Sequence, residues 1–346
     1  EQPDDQFTEK IYLFKNNLLA SRRLLKLKLK EKPGDNKLVG YIFSLSALIQ
    51  NSDIFDNIHL QKIAFNVLKK LLEEKDLSLL AATPAYRSDS AYNLSDFYDE
   101  ELVAIAICDQ FVEFQNYSFT NYLPDLYTYG FRIAPSNDFN PPPSSSQLVI
   151  NNFNSLQSAI TVSAPKNNLH LNYFIQSLIK NDLFLNDNEV ARFHLYYQVI
   201  EMMLEKVYKN EIKIGILSRF ASLSSFDIKE NLRETMKETY SLDKLTGGNY
   251  TEIETEILEE LHLNIDSFLK YVSIEFEANE ISRKIYKVRN LLFHAYSKIL
   301  ENPKLVKDTI NARLKNVNDS FEYLLIEIIS SYKDYSKSVS AVSPVV

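Results

Sequence analysis

The sequence predicts a mainly α-helical protein made of two helical modules. Three observations carry this: only 6 Gly occur in 346 residues, apolar residues recur at three- and four-residue spacing over most of the chain, and a Pro/Ser run near residue 141 separates an earlier helical stretch from a later one. So few glycines suit long helices joined by few tight turns. They disfavour a nucleotide-binding sheet fold, whose phosphate turns need glycine. Hydrophobic residues make up 45% and charged residues 24%, which is ordinary globular usage. At this length about two domains are expected, and about three quarters of the surface can be buried without a covalent staple.

Taken in order, residues 1–6 are polar. Ile11, Phe14, Leu18 and Leu19 open a helical pattern. Leu25, Leu27 and Leu29 then alternate with Lys26, Lys28 and Lys30 at the period of a strand, and Pro33-Gly34 ends the segment. We read 7–32 as helix throughout, and further helices over 37–50, 56–75 and 98–115, the last opening on Asp99, Glu100 and Glu101 as a helix N-terminus prefers. These make an N-terminal helical module of residues 1–140, to which the residues themselves assign no role. Pro141-Pro142-Pro143-Ser144-Ser145-Ser146 reads as linker. Within a linker region of 141–170, Leu148-Val149-Ile150 and Ile160-Thr161-Val162 suggest a short β-hairpin over 147–163. The C-terminal domain, 171–335, carries helices over 170–181, 187–210, 227–240, 251–277, 279–300 and 305–334. In the last of these, Ile310, Leu314, Val317, Phe321, Leu324, Leu325 and Ile328 hold one face. Residues 336–346 read as a frayed tail.

Composition excludes several functions. The single cysteine, Cys108, allows no intramolecular disulfide and no multi-cysteine metal cluster. A net charge of −8 argues against a general nucleic-acid coat, because a broad phosphate footprint wants a basic face. It leaves room for a local basic pocket. The Lys/Arg run at 22–32 reads first as a solvated amphipathic face and second as a track for an RNA backbone. No apolar run reaches the length of a membrane span, and no signal-peptide pattern opens the chain, which starts on Glu1 rather than Met, as either a processed chain or an expression remnant would. The expectation is a cytoplasmic protein with no membrane contact. His59, His170, His194 and His262 lack metal-ligand spacing, so neither a metal nor another cofactor is expected.

The chemistry concentrates in Lys287-Val288-Arg289-Asn290-Leu291-Leu292-Phe293-His294-Ala295-Tyr296. Within eight residues of one predicted helix stand a guanidinium, an amide, an imidazole and a phenol. Arg binds phosphate in a forked geometry at any working pH, and His exchanges protons near neutrality. RNA self-cleavage needs those two functions: a group to handle the proton of the 2′-hydroxyl or of the leaving oxygen, and a cation for the phosphorane charge. In an ideal helix Arg289 and His294 point about 140° apart, whereas Asn290 and His294 share a face, as do Arg289 and Tyr296.

This segment resembles the signature of the HEPN superfamily (higher eukaryotes and prokaryotes nucleotide-binding): Arg, often followed by Asn, then His after four to six residues. An Arg-Asn-x-x-x-His string is expected about 0.01 times by chance in a chain of this composition. Tyr296 matches the His-x-Tyr extension of HEPN toxins, in some of which that tyrosine is adenylylated by a partner. The aromatic-rich stretch Arg192–Glu205 resembles an early HEPN helix carrying an inward acid, which places Glu201 near the site. The resemblance covers roughly 180–335 and implies a HEPN-like helical bundle with metal-independent endoribonuclease activity. It implies catalytic Arg289, Asn290 and His294, with Tyr296 and Glu201 as auxiliaries, and products with 2′,3′-cyclic phosphate ends. It further implies RNA as substrate, a homodimer whose two motifs meet in one cleft, and a toxin or anti-phage effector held by an antitoxin or defence-system partner, with residues 1–140 as the module that senses, regulates or binds a partner. The competing readings are a non-catalytic HEPN-like module that binds nucleotide or protein, and a helical adaptor with a coincidental motif. On those readings Asn290 satisfies local backbone and His294 edges a core. Tyr296 reads first as a packing aromatic, and Glu201 equally well as a salt-bridged surface acid.

Overall fold

A computed structural model describes residues 9–19, 23–32, 35–74, 94, 97–108, 119–133, 147–154, 158–163, 167, 169–178, 188–272, 274 and 279–333. Two compact units emerge, one of Glu1–Ser144 with Val149–Ala164, the other of Ser145–Leu148 with Pro165–Val346. The expected Pro/Ser linker at 141–146 and the tail at 336–346 lie outside the described residues.

The first unit corrects the expected fold class. It is built on a six-stranded, mixed, curled sheet rather than on helices, so the protein is not a mainly α-helical bundle with a short hairpin. Strands β1 (Lys10–Lys15), β2 (Leu24–Lys32), β3 (Asp35–Ser44), β4 (Leu102–Ile107), β5 (Arg132–Ile133) and β6 (Ala159–Val162) run in the order β5-β1-β4-β3-β2-β6. All neighbours are antiparallel except β2 and β6. The period of two in residues 25–30 is therefore the one that governs: Leu25, Leu27 and Leu29 are buried, while Lys26 and Lys30 face solvent. Of the helix read over 98–115, Leu102–Ile107 is β4, six consecutive apolar residues that are all buried, and 109–115 lie outside the described residues. A short apolar run of that kind carries no period to separate a buried strand from a buried helix.

Helix α3 (Ile58–Glu74) covers one face of this sheet through Ile63, Ala64, Val67 and Leu71, which pack with Tyr41, Phe43, Ala104 and Ala106. It follows two single-turn helices, α1 (Ala47–Gln50) and α2 (Ser52–Phe55). The pairing of β3 with β4 explains one of the few glycines: a Cβ on Gly40 would lie 2.0 Å from the carbonyl oxygen of Ala106. Helix α4 (Leu123–Tyr127) precedes β5. The expected hairpin over 147–163 is absent. Residues Gln147–Asn154 form helix α5, in which Val149 and Phe153 are buried four apart, and β6 pairs with β2 instead.

In the second unit every described element is helical. After α6 (Tyr173–Ser177) come α7 (Glu189–Glu211), α8 (Ser225–Thr235), α9 (Glu238–Thr246), α10 (Thr255–Tyr271), α11 (Ile281–His294), α12 (Tyr296–Leu300) and α13 (Lys307–Ser331). Helix α13 packs on α7 and α10, and α11 lies against α7, α9 and α10. The apolar face read from the sequence in α13 is buried throughout. Helix α7 is locked to α13 by charge. Arg192, 2% exposed, reaches Glu189 at 2.9 Å, Asp319 at 3.2 Å and Glu322 at 3.3 Å, and donates to the Tyr196 hydroxyl at 3.0 Å. Burial works against the guanidinium charge, and the surrounding Tyr196, Glu322, Asp319 and Glu189 more than offset it, so that its pKa is raised.

Candidate functional site

Helix α11 presents two stripes of side chains. Arg289 and Phe293, four apart, face α7, while Arg283, Tyr286, Lys287 and Asn290 turn toward α9. On α7 the facing stripe is His194, Tyr197 and Glu201, at spacings of three and four. Arg192 and Tyr196, pinned to α13, fix the rotation of α7 that aims this stripe at α11.

Arg289 sits where these stripes meet and is half-buried. Its guanidinium donates to Asn290 Oδ1 at 3.0 Å and lies 3.5 Å from Glu201 Oε1. It also stands 4.8 Å from the Phe293 ring centroid and 5.7 Å from that of Tyr197, within range of cation–π attraction. Three of the residues expected at the site, Arg289, Asn290 and Glu201, are thus brought together. Behind them the Tyr197 hydroxyl donates to Glu238 at the start of α9, and burial with this bond pushes the phenol well up.

Asn290 opens onto a cleft of about 540 Å³ between α9 and α11, lined also by Lys237, Tyr240, Asp243, Arg283, Tyr286 and Lys287. Carboxylates tether some of its cations: Lys237 contacts Glu234 at 2.5 Å and Arg283 lies 3.7 Å from Glu280. The Tyr240 hydroxyl donates to Glu211 at 2.8 Å, and burial together with that bond pushes its pKa up to about 12. The phenol is therefore a donor, not a base, at neutral pH.

His294 is the last residue of α11 and is exposed, one turn beyond Asn290 on the same face. No contact among the described residues joins it to Arg289, in keeping with the angle between them on one helix. The continuous helix read over 279–300 breaks at Ala295, whose backbone (φ −134°, ψ 7°) leaves the helical region. Tyr296 consequently begins a separate helix, α12, and is not on a shared face with Arg289. It is partly buried, which raises its phenol pKa. Sequence reasoning passed over His194. Its imidazole stacks on Phe293 with centroids 3.8 Å apart and planes 6° from parallel. Burial, and then the charge of Arg289, lower its pKa. The signal was present in the spacing His194, Tyr197, Glu201, a stripe already containing the acid assigned to the site.

Among the described residues no group of three or more His, Cys, Asp or Glu could hold a metal ion. Nor is any described helix long and apolar enough to cross a membrane. No known protein family, curated protein or solved structure matches the chain.

Proposed function

We propose that this chain is a metal-independent endoribonuclease of the kind the Arg-Asn-x-x-x-His-x-Tyr resemblance implies. The observation that carries the reading is the bracing of Arg289: its guanidinium is held by Asn290 and Glu201, and Asn290 in turn lines the neighbouring open cleft. Such a braced cation is suited to the charge that builds on phosphorus during in-line attack. The 2′-hydroxyl oxygen attacks phosphorus and loses its proton to the imidazole of the second His294, which a sister protomer supplies. The bond from phosphorus to the 5′-oxygen breaks, and His294, free in solvent at the helix end, protonates the leaving oxygen. A 2′,3′-cyclic phosphate and a 5′-hydroxyl result. Asn290 keeps the guanidinium oriented, and the sister protomer brings its His294 to the same cleft. On this reading the protein is a cytoplasmic homodimer, a toxin or anti-phage effector controlled by an antitoxin or defence-system partner, with Tyr296 as the residue a partner would modify.

The test is incubation of the purified protein with total RNA in EDTA, beside His294→Ala. Cleavage by the parent that falls by about 10²–10⁴-fold in the variant is expected for loss of a proton-transfer group. Cleavage unchanged by the substitution removes His294 from the mechanism. A second reading, a nucleotide-binding module without catalysis, draws on the cleft alone: its volume suits a mononucleotide, and it combines cations with Tyr240 and Tyr286. Nucleotide binding without RNA cleavage, under activating conditions too, would favour it.

A further inference from the structure

Two nitrogens at the junction of α7 and α11 are buried with no hydrogen-bond partner: Nε of Arg289 and Nε2 of His194. A buried polar atom left unpaired is costly, so two of them beside one ring ask for an explanation. The ring is Phe293. It lies flat on the imidazole of His194 at 3.8 Å and under the guanidinium of Arg289 at 4.8 Å. Yet Phe293 is itself 39% exposed, at the next-to-last position of α11. It is a partly exposed side chain lying over the faces of these two polar groups rather than a member of the core.

We propose that Arg289 and His194 form a phosphodiester subsite, and that the Phe293 side chain is its cover, closed in this conformation and swung aside when substrate enters. The inference rests on the ribonuclease reading for the identity of the anion. The chemistry of the pair supports it. Arg289 spends one terminal nitrogen on Asn290 and offers another to Glu201 at the loose distance of 3.5 Å, so its Nε–H remains for a phosphate oxygen. The imidazole, whose pKa is lowered by burial and then by the neighbouring cation, gains a counter-charge when a phosphate binds beside it. Once uncovered, the face of His194 also offers a flat surface on which an unpaired base can stack. The site therefore takes a single-stranded segment, since a base in a duplex is already stacked.

The test uses the full-length protein and a 2′-O-methyl RNA oligonucleotide, which lacks the attacking hydroxyl and reports binding apart from cleavage. Carbethoxylation of His194 is followed by peptide mass spectrometry, and oligonucleotide affinity by fluorescence anisotropy. Phe293→Ala is expected to raise the rate of His194 modification several-fold, with the oligonucleotide protecting it. His194→Gln is expected to weaken binding about tenfold, the worth of one hydrogen bond to a charged group. Phe293→Leu, which keeps an apolar side chain, controls for a general loosening of α11 and is expected to fall between the parent and the alanine variant. An unchanged modification rate in Phe293→Ala, no protection by the oligonucleotide, or parental affinity in His194→Gln each overturns the subsite. RNA cleavage by the parent alongside any of these leaves the nuclease reading in place and removes only the subsite.

Discussion

Arg192 shows how a single side chain can decide where others point. Removing it leaves Glu189, Asp319 and Glu322 facing one another with one fewer cation, in a region almost closed to water. Breaking a buried ion network from one side costs about 3–5 kcal/mol. Arg192→Met is therefore expected to destabilise the second unit by about that amount in urea unfolding, and to weaken whatever the His194 stripe does. A loss below about 1 kcal/mol would mean that the network is not holding α7. His194 itself links stability to pH. Its folded-state pKa is lowered, so the folded chain resists protonation that the unfolded chain accepts. The stability of the second unit should decline as pH falls below the ordinary imidazole value of about 6.5, and His194→Gln should flatten that decline; an unaltered slope would place the titrating group elsewhere.

Strand and helix periods explain what could be read at the level of elements. In β2 the burial of Leu25, Leu27 and Leu29 against exposed Lys26 and Lys30 predicts an alternating response to substitution. Leu27→Ala should cost about 2–5 kcal/mol, while Lys26→Ala should stay within about 0.5 kcal/mol; equal effects would contradict the strand. That alternation was visible in the sequence, but it was overruled by the helical spacing of Ile11, Phe14 and Leu18 just before it. Strand β4 offered no period at all, because both of its faces are covered. The long helices α7, α10, α11 and α13 were legible from the helical spacing of their apolar residues, although α13 is buried on all sides from Val317 to Ile326. The break at Ala295 was not, as no proline or glycine marks it. The candidate site was legible only along the chain: Arg289, Asn290 and Glu201 could be named from one sequence, whereas the His194–Phe293 stack joins residues 99 positions apart and needed the packing of α7 on α11.

At the scale of the whole molecule, the chain divides into a sheet-based first unit and a helical second unit. The candidate chemistry lies wholly in the second, on α7, α9 and α11. Helices packed this way hold side chains on rigid frames, which is what positioning a phosphate requires. The lysines of β2, spaced two apart on an alternating strand, give the first unit a local basic row within an acidic chain. If the homodimer proposed here completes the cleft, activity per chain should fall on dilution through the dimer's dissociation range, measured by sedimentation alongside cleavage. Constant specific activity in a monomeric sample would separate the site from dimerisation.

The most direct measurement is the chemistry of the fragment ends. Total RNA treated with the purified protein in EDTA should yield 2′,3′-cyclic phosphates and 5′-hydroxyls, and Arg289→Gln should abolish them while leaving the fold intact by circular dichroism. Fragments with 3′-hydroxyl ends, or undiminished cyclic phosphate from the folded Arg289→Gln variant, would contradict the account.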